Sequence, residues 1–143
     1  VSIPVFLSSL LQVPFIHQIT GKRVGIISAS SANLTAEHFE NTGISETTPV
    51  AVAGMEHNRA FTQAIFEPDG TLDDDAICEG VIGVANQLMQ DHPDMGAILL
   101  ECSDLPPYAH AIQAATGLPV FDFITMIKYV HTSLACRPYV GLI

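Results

Sequence analysis

The chain has 143 residues, of which 48% are hydrophobic and 14% are charged, and its 15 acidic residues outnumber its 5 basic residues. This length and apolar fraction suit a single folded α/β domain and exclude a disordered chain. Because lysine and arginine hold phosphate groups, so few basic residues argue against nucleic acids and anionic membranes as partners.

The first half of the chain alternates strand and helix patterns. Its predicted elements are, in order, a β-rich run at Val5-Phe6-Leu7, a strand from Arg23 to Ser28, a helix from Asn33 or Thr35 to Gly43, a strand from Pro49 to Ala53 and a helix over 57 to 66. Glycine in left-handed backbone ends the first helix, and the Pro68-Asp69-Gly70 turn ends the second.

The second half opens with a helix that Thr71 caps through a capping box with Asp74. Apolar residues recur along this helix at the helical period, and they are Ile77, Val81, Val84, Ala85 and Leu88. Gly96 to Leu100 is an unbroken apolar run, which is typical of a parallel strand covered on both faces. The remaining elements are a helix over 106 to 115, a strand from Leu118 to Phe121 and a helix from its cap Asp122 to about Leu134.

Strands that alternate with helices predict right-handed crossovers and therefore a doubly wound parallel sheet with flanking helices. Ligands of such sheets lie beyond the carboxyl ends of the strands. The candidate binding loops are therefore Ser28 to Asn33 and Glu101 to Pro107.

Cys102 lies where the buried strand gives way to the next helix. The free N–H groups at the start of that helix are expected to lower the thiol pKa and to hold an anion, with the Ser103 hydroxyl as a further donor. Such a thiolate can remove a proton α to a carboxylate as a general base. The alternative for Cys102 is a small buried hydrophobic residue, the role assigned to Cys78 and Cys136.

Other polar residues near the candidate loops have plainer interpretations. Ser30 and Ser31 either donate to a substrate or form a polar turn. His110 and His131 are assigned to helix surfaces. Glu101 should point to the opposite side of its strand from the thiol. The 3 cysteines lack Cys-x-x-Cys spacing, so we expect no metal site, no disulfide framework and reduced thiols in the cytoplasm.

The segment Leu99 to Tyr108, together with Thr116 to Asp122, resembles the second half of proteins in the aspartate/glutamate racemase superfamily. Ser8 to Pro14 and Lys22 to Ile27 resemble the middle segment of that family, so the resemblance covers almost the whole chain. It implies two pseudo-symmetric α/β lobes with the active site between them. Each lobe contributes one cysteine, and the pair works without pyridoxal phosphate, metal or another cofactor.

The resemblance assigns roles to three consecutive residues. Cys102 matches the catalytic cysteine of the second lobe, and Ser103 matches a hydroxyl residue that helps to hold the substrate carboxylate. Asp104 stands where the family often has asparagine, and it would repel a carboxylate unless it is protonated or caps the following helix. We take Ser103, Asp104 and Ser30 as the substrate-binding residues. The expected protein is an isomerase, a cofactor-independent racemase or epimerase of a small amino acid or related carboxylate.

A near-repeat, Ile3-Pro4-Val5-Phe6 and Leu118-Pro119-Val120-Phe121, is either chance or a trace of the two lobes. On the second interpretation residues 1–16 end the first lobe, 17–122 form the second lobe and 123–143 form a C-terminal helix and tail. The first cysteine would then precede Pro4 and lie outside the chain, as Cys102 precedes Pro119. We expect this C-terminal part to be inactive alone and the protein to be a homo-oligomer, a dimer.

Two other functions stay open. One keeps the superfamily and changes the chemistry, to a single-cysteine decarboxylase or a diacid isomerase. The other is a non-catalytic domain that binds a small molecule in the same cleft. A small-molecule carboxylate is the expected ligand of the enzyme.

Overall fold

A computed structural model of the chain describes residues 5–67, 70–136, 138 and 141. Within them four strands form one parallel sheet in the order β2-β1-β3-β4. The strands are β1 (Arg23–Ser28), β2 (Val50–Gly54), β3 (Met95–Leu100) and β4 (Val120–Phe121). The parallel α/β sheet expected from the sequence is confirmed.

Six α-helices and three 3₁₀ helices surround the sheet in the described part of the chain. The α-helices are α1 (Val13–Thr20), α2 (Ala36–Asn41), α3 (Arg59–Phe66), α4 (Asp74–Asp91), α5 (Ala109–Thr116) and α6 (Phe123–Leu134). The 3₁₀ helices are Ser9–Gln12, Ser31–Asn33 and Pro106–Tyr108.

Helices cover both faces of the sheet, and each face has its own apolar cluster. The cluster on the side of α3, α4 and α5 includes Phe61, Ile77, Val81, Ile98, Leu100 and Ile112. The cluster on the side of α1 includes Leu10, Val13, Ile16, Val24, Ile26 and Leu99. Alternate residues of β3 therefore enter opposite clusters, which explains why this strand is apolar throughout.

The pairing of β1 with β3 positions the candidate loops. Ile27 lies beside Leu100 at the end of the two strands, and the N–H of Glu101 donates to the Ile27 carbonyl oxygen at 2.9 Å. Because parallel strands end at the same edge, the loop after Ser28 and the loop after Leu100 start side by side.

Local signals in the sequence placed most element ends correctly. Gly43 has a φ of 76°, the left-handed conformation expected of a residue that ends a helix. Asp122 caps α6, because its carboxylate accepts the N–H of Thr125 at 2.7 Å while the Thr125 hydroxyl accepts the N–H of Asp122 at 2.9 Å. Gly43 and Asp122 therefore end and cap their helices as the sequence predicted.

Two local predictions are wrong, and a third made its strand too long. Val5 to Leu7 is not a strand within the described residues; the chain there runs unpaired into a turn that Ser8 caps, with Val5 72% and Leu7 88% exposed. Helix α4 is capped by Asp73, whose carboxylate accepts the N–H of Ala76, and not by Thr71. The last strand has two residues, Val120–Phe121, where four were predicted.

Some predictions fall on residues outside the described part of the chain. They are the first half of the near-repeat, Ile3-Pro4, and the turn residues Pro68 and Asp69. The division into lobes at residues 16 and 122 stays a prediction. No helix among the described residues has both the length and the hydropathy that a bilayer crossing needs.

Candidate active site

Cys102 follows the central strand β3 by two residues, at the carboxyl end of the sheet. The chain turns here, and the N–H of Leu105 donates to the Cys102 carbonyl oxygen at 3.3 Å. The half-buried thiol donates to the Asp104 carboxylate, with 3.6 Å between Sγ and Oδ2. The structure thus brings together Cys102 and Asp104, two of the predicted site residues.

Burial raises the pKa of the Cys102 thiol, and the charge of Asp104 and its hydrogen bond to the thiol raise it further. The N–H groups of Asp104 and Leu105 act in the opposite direction without reversing the shift. The predicted lowering of this pKa is therefore wrong. The prediction assumed that α5 begins directly after Cys102, whereas it begins only at Ala109. The two prolines before it, Pro106 and Pro107, have no N–H groups to offer to the thiol.

Ser103 and Asp104 line a cleft of about 280 Å³ beside the thiol loop. Its other walls come from α3, from the start of α4 and from the 3₁₀ helix Pro106–Tyr108. Both residues are exposed, so their polar groups are accessible from the cleft. Cys102 itself does not belong to the lining, but its two neighbours Ser103 and Asp104 connect the thiol loop to this cleft.

Tyr108 and Asp74 join across this cleft, and neither was among the site residues predicted from the sequence, where Asp74 was expected only in a capping box with Thr71. The Tyr108 hydroxyl donates to Asp74 Oδ1 at 2.8 Å. Burial, the hydrogen bond to Asp74 and the nearby charges, including Asp104, raise the pKa of Tyr108 to about 12. The cleft is therefore negative in character. The sequence did place Tyr108 at the end of the loop after β3, and this position could have marked it as a candidate site residue.

The loop after β1 contains Ser30 and Ser31, which differ in their contacts. Ser31 donates through its N–H and its hydroxyl to the Glu56 carboxylate, in the loop after β2. Burial alone would raise the pKa of Glu56, but these hydrogen bonds hold it below its usual value. Ser30 is half-buried, and no side-chain hydrogen bond joins it to other described residues. The structure does not link Ser30 directly to the Cys102 loop.

Glu101 points away from the thiol, as the alternation of a strand predicts. Its Oε1 accepts the Ser8 hydroxyl at 2.6 Å, on the side of the sheet that α1 covers, whereas Cys102 packs against the opposite cluster. Its Oε2 is buried without a hydrogen-bond partner among the described residues. Burial raises the pKa of Glu101, although the Ser8 hydroxyl and the N–H groups of Leu10 and Ser9 oppose the shift.

The remaining cysteines, His110 and His131 do not belong to the lining of the cleft. Cys78 is half-buried against the cluster on the α4 side, which agrees with its assigned packing role. Cys136 is exposed, so the same assignment is wrong for it. His110 and His131 are exposed on α5 and α6, as expected of helix-surface residues.

Solved structures of arylmalonate decarboxylase have a similar fold. One crystal structure matches 89% of this chain and 53% of its own with a TM-score of 0.56 and 16% identity, and an unliganded structure matches 79% and 46% with a TM-score of 0.56 and 20% identity. At these identities the likeness concerns the fold alone. Arylmalonate decarboxylase belongs to the aspartate/glutamate racemase-like superfamily, and the parallel α/β sheet with flanking helices that the resemblance implies is confirmed, whereas the pair of lobes stays a prediction.

The sequence is similar to dimethylsulfoniopropionate lyases. The lyase of Durusdinium sp. clade D is 34% identical over 146 residues, which cover 97% of this chain and 48% of that protein. Dimethylsulfoniopropionate lyase 3 of Emiliania huxleyi (strain CCMP1516) is 30% identical over 149 residues, which cover 97% and 38%. The chain thus spans less than half the length of these curated relatives. No family model matches it.

These similarities overturn the expected racemase. Relatives at 34% and 30% identity are named lyases, not isomerases, and the neighbours in fold are decarboxylases. The single-cysteine decarboxylase considered as an alternative is closer to the findings. The physical reason for the error is that the Cys102 segment marks the position of a thiol in the fold, whereas the groups that surround the substrate decide which bond breaks.

Asp104→Asn is expected to lower the pKa of the Cys102 thiol, because it removes a negative charge and a hydrogen bond that favour the protonated form. Alkylation of Cys102 by iodoacetamide should therefore reach half its maximal rate at a lower pH than in the wild type. Mass spectrometry assigns the rate to each cysteine, with Cys78 and Cys136 as internal references. A midpoint that stays in place or moves upward would contradict this electrostatic account.

Glu101→Gln is expected to gain stability relative to the wild type as the pH rises above 4.5, the ordinary pKa of this side chain. Because the folded pKa is raised, the protonated carboxyl stabilises the fold at low pH, and this contribution is lost as the pH rises through the folded pKa. Urea unfolding followed by circular dichroism at several pH values measures the difference. Glu79→Gln on exposed α4 surface is the matched control. A difference that is constant with pH would refute the prediction.

Proposed function

We propose that this chain belongs to a lyase that cleaves dimethylsulfoniopropionate, or a closely related β-substituted carboxylate, with Cys102 as the base. The observation that carries the proposal is the similarity to proteins named dimethylsulfoniopropionate lyase over 97% of the chain, Cys102 and its loop included. The position of the thiol at the carboxyl end of β3, beside a cleft, supports it.

The reaction is an elimination. The Cys102 thiolate takes a proton from the carbon α to the carboxylate, and the electron pair of that C–H bond becomes the second bond between the α and β carbons. The C–S bond breaks with its pair going to sulfur, which leaves as neutral dimethyl sulfide. Acrylate remains, and the thiol later returns its proton to solvent. Because the leaving group carries the electron pair away, the step needs no electron sink, and we propose that no cofactor takes part.

One base is sufficient for this chemistry. Racemisation takes a proton from one face of a carbon and returns a proton to the other, so it needs an acid and a base on opposite sides. Elimination takes a single proton and returns none to the carbon. Cys102 is the single base of this step, and the N–H groups of Asp104 and Leu105 favour its thiolate, although burial and the Asp104 carboxylate outweigh them in raising the thiol pKa.

Ser103, Asp104 and Ser30 are the substrate-binding residues of the proposed lyase, as they were in the prediction from the sequence. The exposed Ser103 hydroxyl donates to the substrate carboxylate, and Asp104 contacts the substrate from the same wall of the cleft. Ser30, in the loop beside it, is a second donor. The reaction runs in the cytoplasm, where Cys102 stays reduced.

We also propose a homodimer. Apolar side chains of α1 and α6 share one exposed surface, where the rings of Phe15 and Tyr129 stack at 6.4 Å between centroids while Phe15 stays 50% and Tyr129 71% exposed. Ile19, one turn after Phe15 on α1 and 57% exposed, extends that surface. An apolar surface of this kind favours association with a second copy.

Cys102→Ala and Cys102→Ser are expected to lower kcat for release of dimethyl sulfide by about 10²–10⁴-fold, the usual contribution of a general base. Gas chromatography of the headspace measures dimethyl sulfide, and liquid chromatography measures acrylate, with the protein at its full natural length. Cys136→Ser changes an exposed thiol outside the cleft lining, so it is the matched control and should keep the wild-type rate. Full activity of Cys102→Ala, or an inactive wild type, would refute the proposal.

A further inference from the structure

The cleft beside Cys102 combines apolar walls with negative charge. Phe61, Ile65 and Leu72 line it together with the carboxylates of Asp74 and Asp104. No lysine or arginine belongs to its lining. Burial raises the pKa of Tyr108, and the charges of the same two carboxylates raise it further.

A methylated cation fits this combination of groups. A sulfonium or quaternary ammonium centre has no N–H to donate, so it is recognised by negative charge at short range and by apolar contact with its methyl groups. A neutral apolar ligand would leave the two carboxylates desolvated without compensation, and a second carboxylate would be repelled.

We propose that Asp104 determines substrate specificity by holding the cationic end of the substrate in this cleft, with Asp74 as a second carboxylate of the lining. This inference rests on the proposed function. In dimethylsulfoniopropionate the sulfonium is attached to the carbon next to the α carbon. The cation is therefore separated from the α carbon by a single carbon. A carboxylate close to the Cys102 sulfur can reach it when the α carbon faces that sulfur, and Asp104 Oδ2 lies at 3.6 Å from Sγ.

The inference also accounts for the aspartate at this position. Asp104 would repel the carboxylate end of any substrate, but it attracts a substrate whose reacting end is positive. Occupation of the cleft by the cation neutralises the charge of Asp104 at the moment when the neighbouring thiol must ionise. Specificity and activation of the base thus depend on the same side chain.

The test compares two non-reacting analogues that differ in charge alone. They are 3-(trimethylammonio)propanoate and its neutral isostere 4,4-dimethylpentanoate, with binding to the protein at its full natural length measured by calorimetry and by inhibition of dimethyl sulfide release. The wild type should prefer the cationic analogue, and Asp104→Asn should reduce that preference by about tenfold. Asp104→Glu should restore much of it, because it keeps the charge.

Two further variants separate this role from a general effect of charge. Asp74→Asn should reduce the preference less than Asp104→Asn, because Asp74 also holds the Tyr108 hydroxyl. Asp75→Asn removes an equal charge from the same turn of α4 outside the cleft lining, and it should leave the preference unchanged.

Failure of this inference is distinguishable from failure of the proposed function. An active wild type whose preference is absent, or is the same in Asp104→Asn, overturns the inference and leaves the lyase intact. A wild type that releases no dimethyl sulfide overturns the proposed function, while calorimetry still reports the preference of the cleft for a cation. Wild type that fails to bind the cationic analogue also overturns the inference.

Discussion

The parallel pairing of β1 with β3 is the constraint on which the site depends. Both strands are buried between helix layers, and their shared register brings Ile27 beside Leu100. The hydrogen bond from the Glu101 N–H to Ile27 extends this pairing one residue past β3, so the chain turns away from the sheet at Cys102. The thiol therefore directly follows a strand that is buried between helix layers, while its neighbours Ser103 and Asp104 are exposed. A base held in this way meets a small substrate with little loss of entropy on binding.

The local electrostatics differ from those of a thiol activated by a helix terminus. Burial and Asp104 keep the Cys102 thiol protonated, and the N–H groups of Asp104 and Leu105 oppose them. Such a thiol is poorly reactive until something offsets the carboxylate. On our proposal the cationic substrate does so itself, which limits proton abstraction to molecules that carry a positive charge near the reacting carbon. The same arrangement protects the thiol from unspecific alkylation and oxidation when the cleft is empty.

Features with local causes could be predicted from the sequence, and features with distant causes could not. The apolar run of β3 and the Asp122 cap depend on neighbouring residues, and both were placed correctly. The unpaired Val5 to Leu7 depends on which partner strands are present, and the Ser8–Glu101 hydrogen bond joins residues 93 positions apart. The thiol pKa was misjudged because the true start of α5 lies beyond two prolines. The cysteine motif predicted the fold and the position of the thiol but not the class of reaction, since the bond that breaks is decided by the substrate and the cleft around it.

Removal of the α proton by Cys102 is the central claim, and substrate deuterated at the α carbon tests it most directly. The wild-type protein at its full natural length should release dimethyl sulfide more slowly from dimethylsulfoniopropionate that carries two deuterium atoms on the α carbon, because the C–D bond must break in the same step as the C–S bond. Gas chromatography of the headspace measures kcat/KM for both substrates. The account predicts a primary isotope effect in the wild type and release lowered by about 10²–10⁴-fold in Cys102→Ala. Equal rates from the two substrates, or wild-type release by Cys102→Ala, would contradict it.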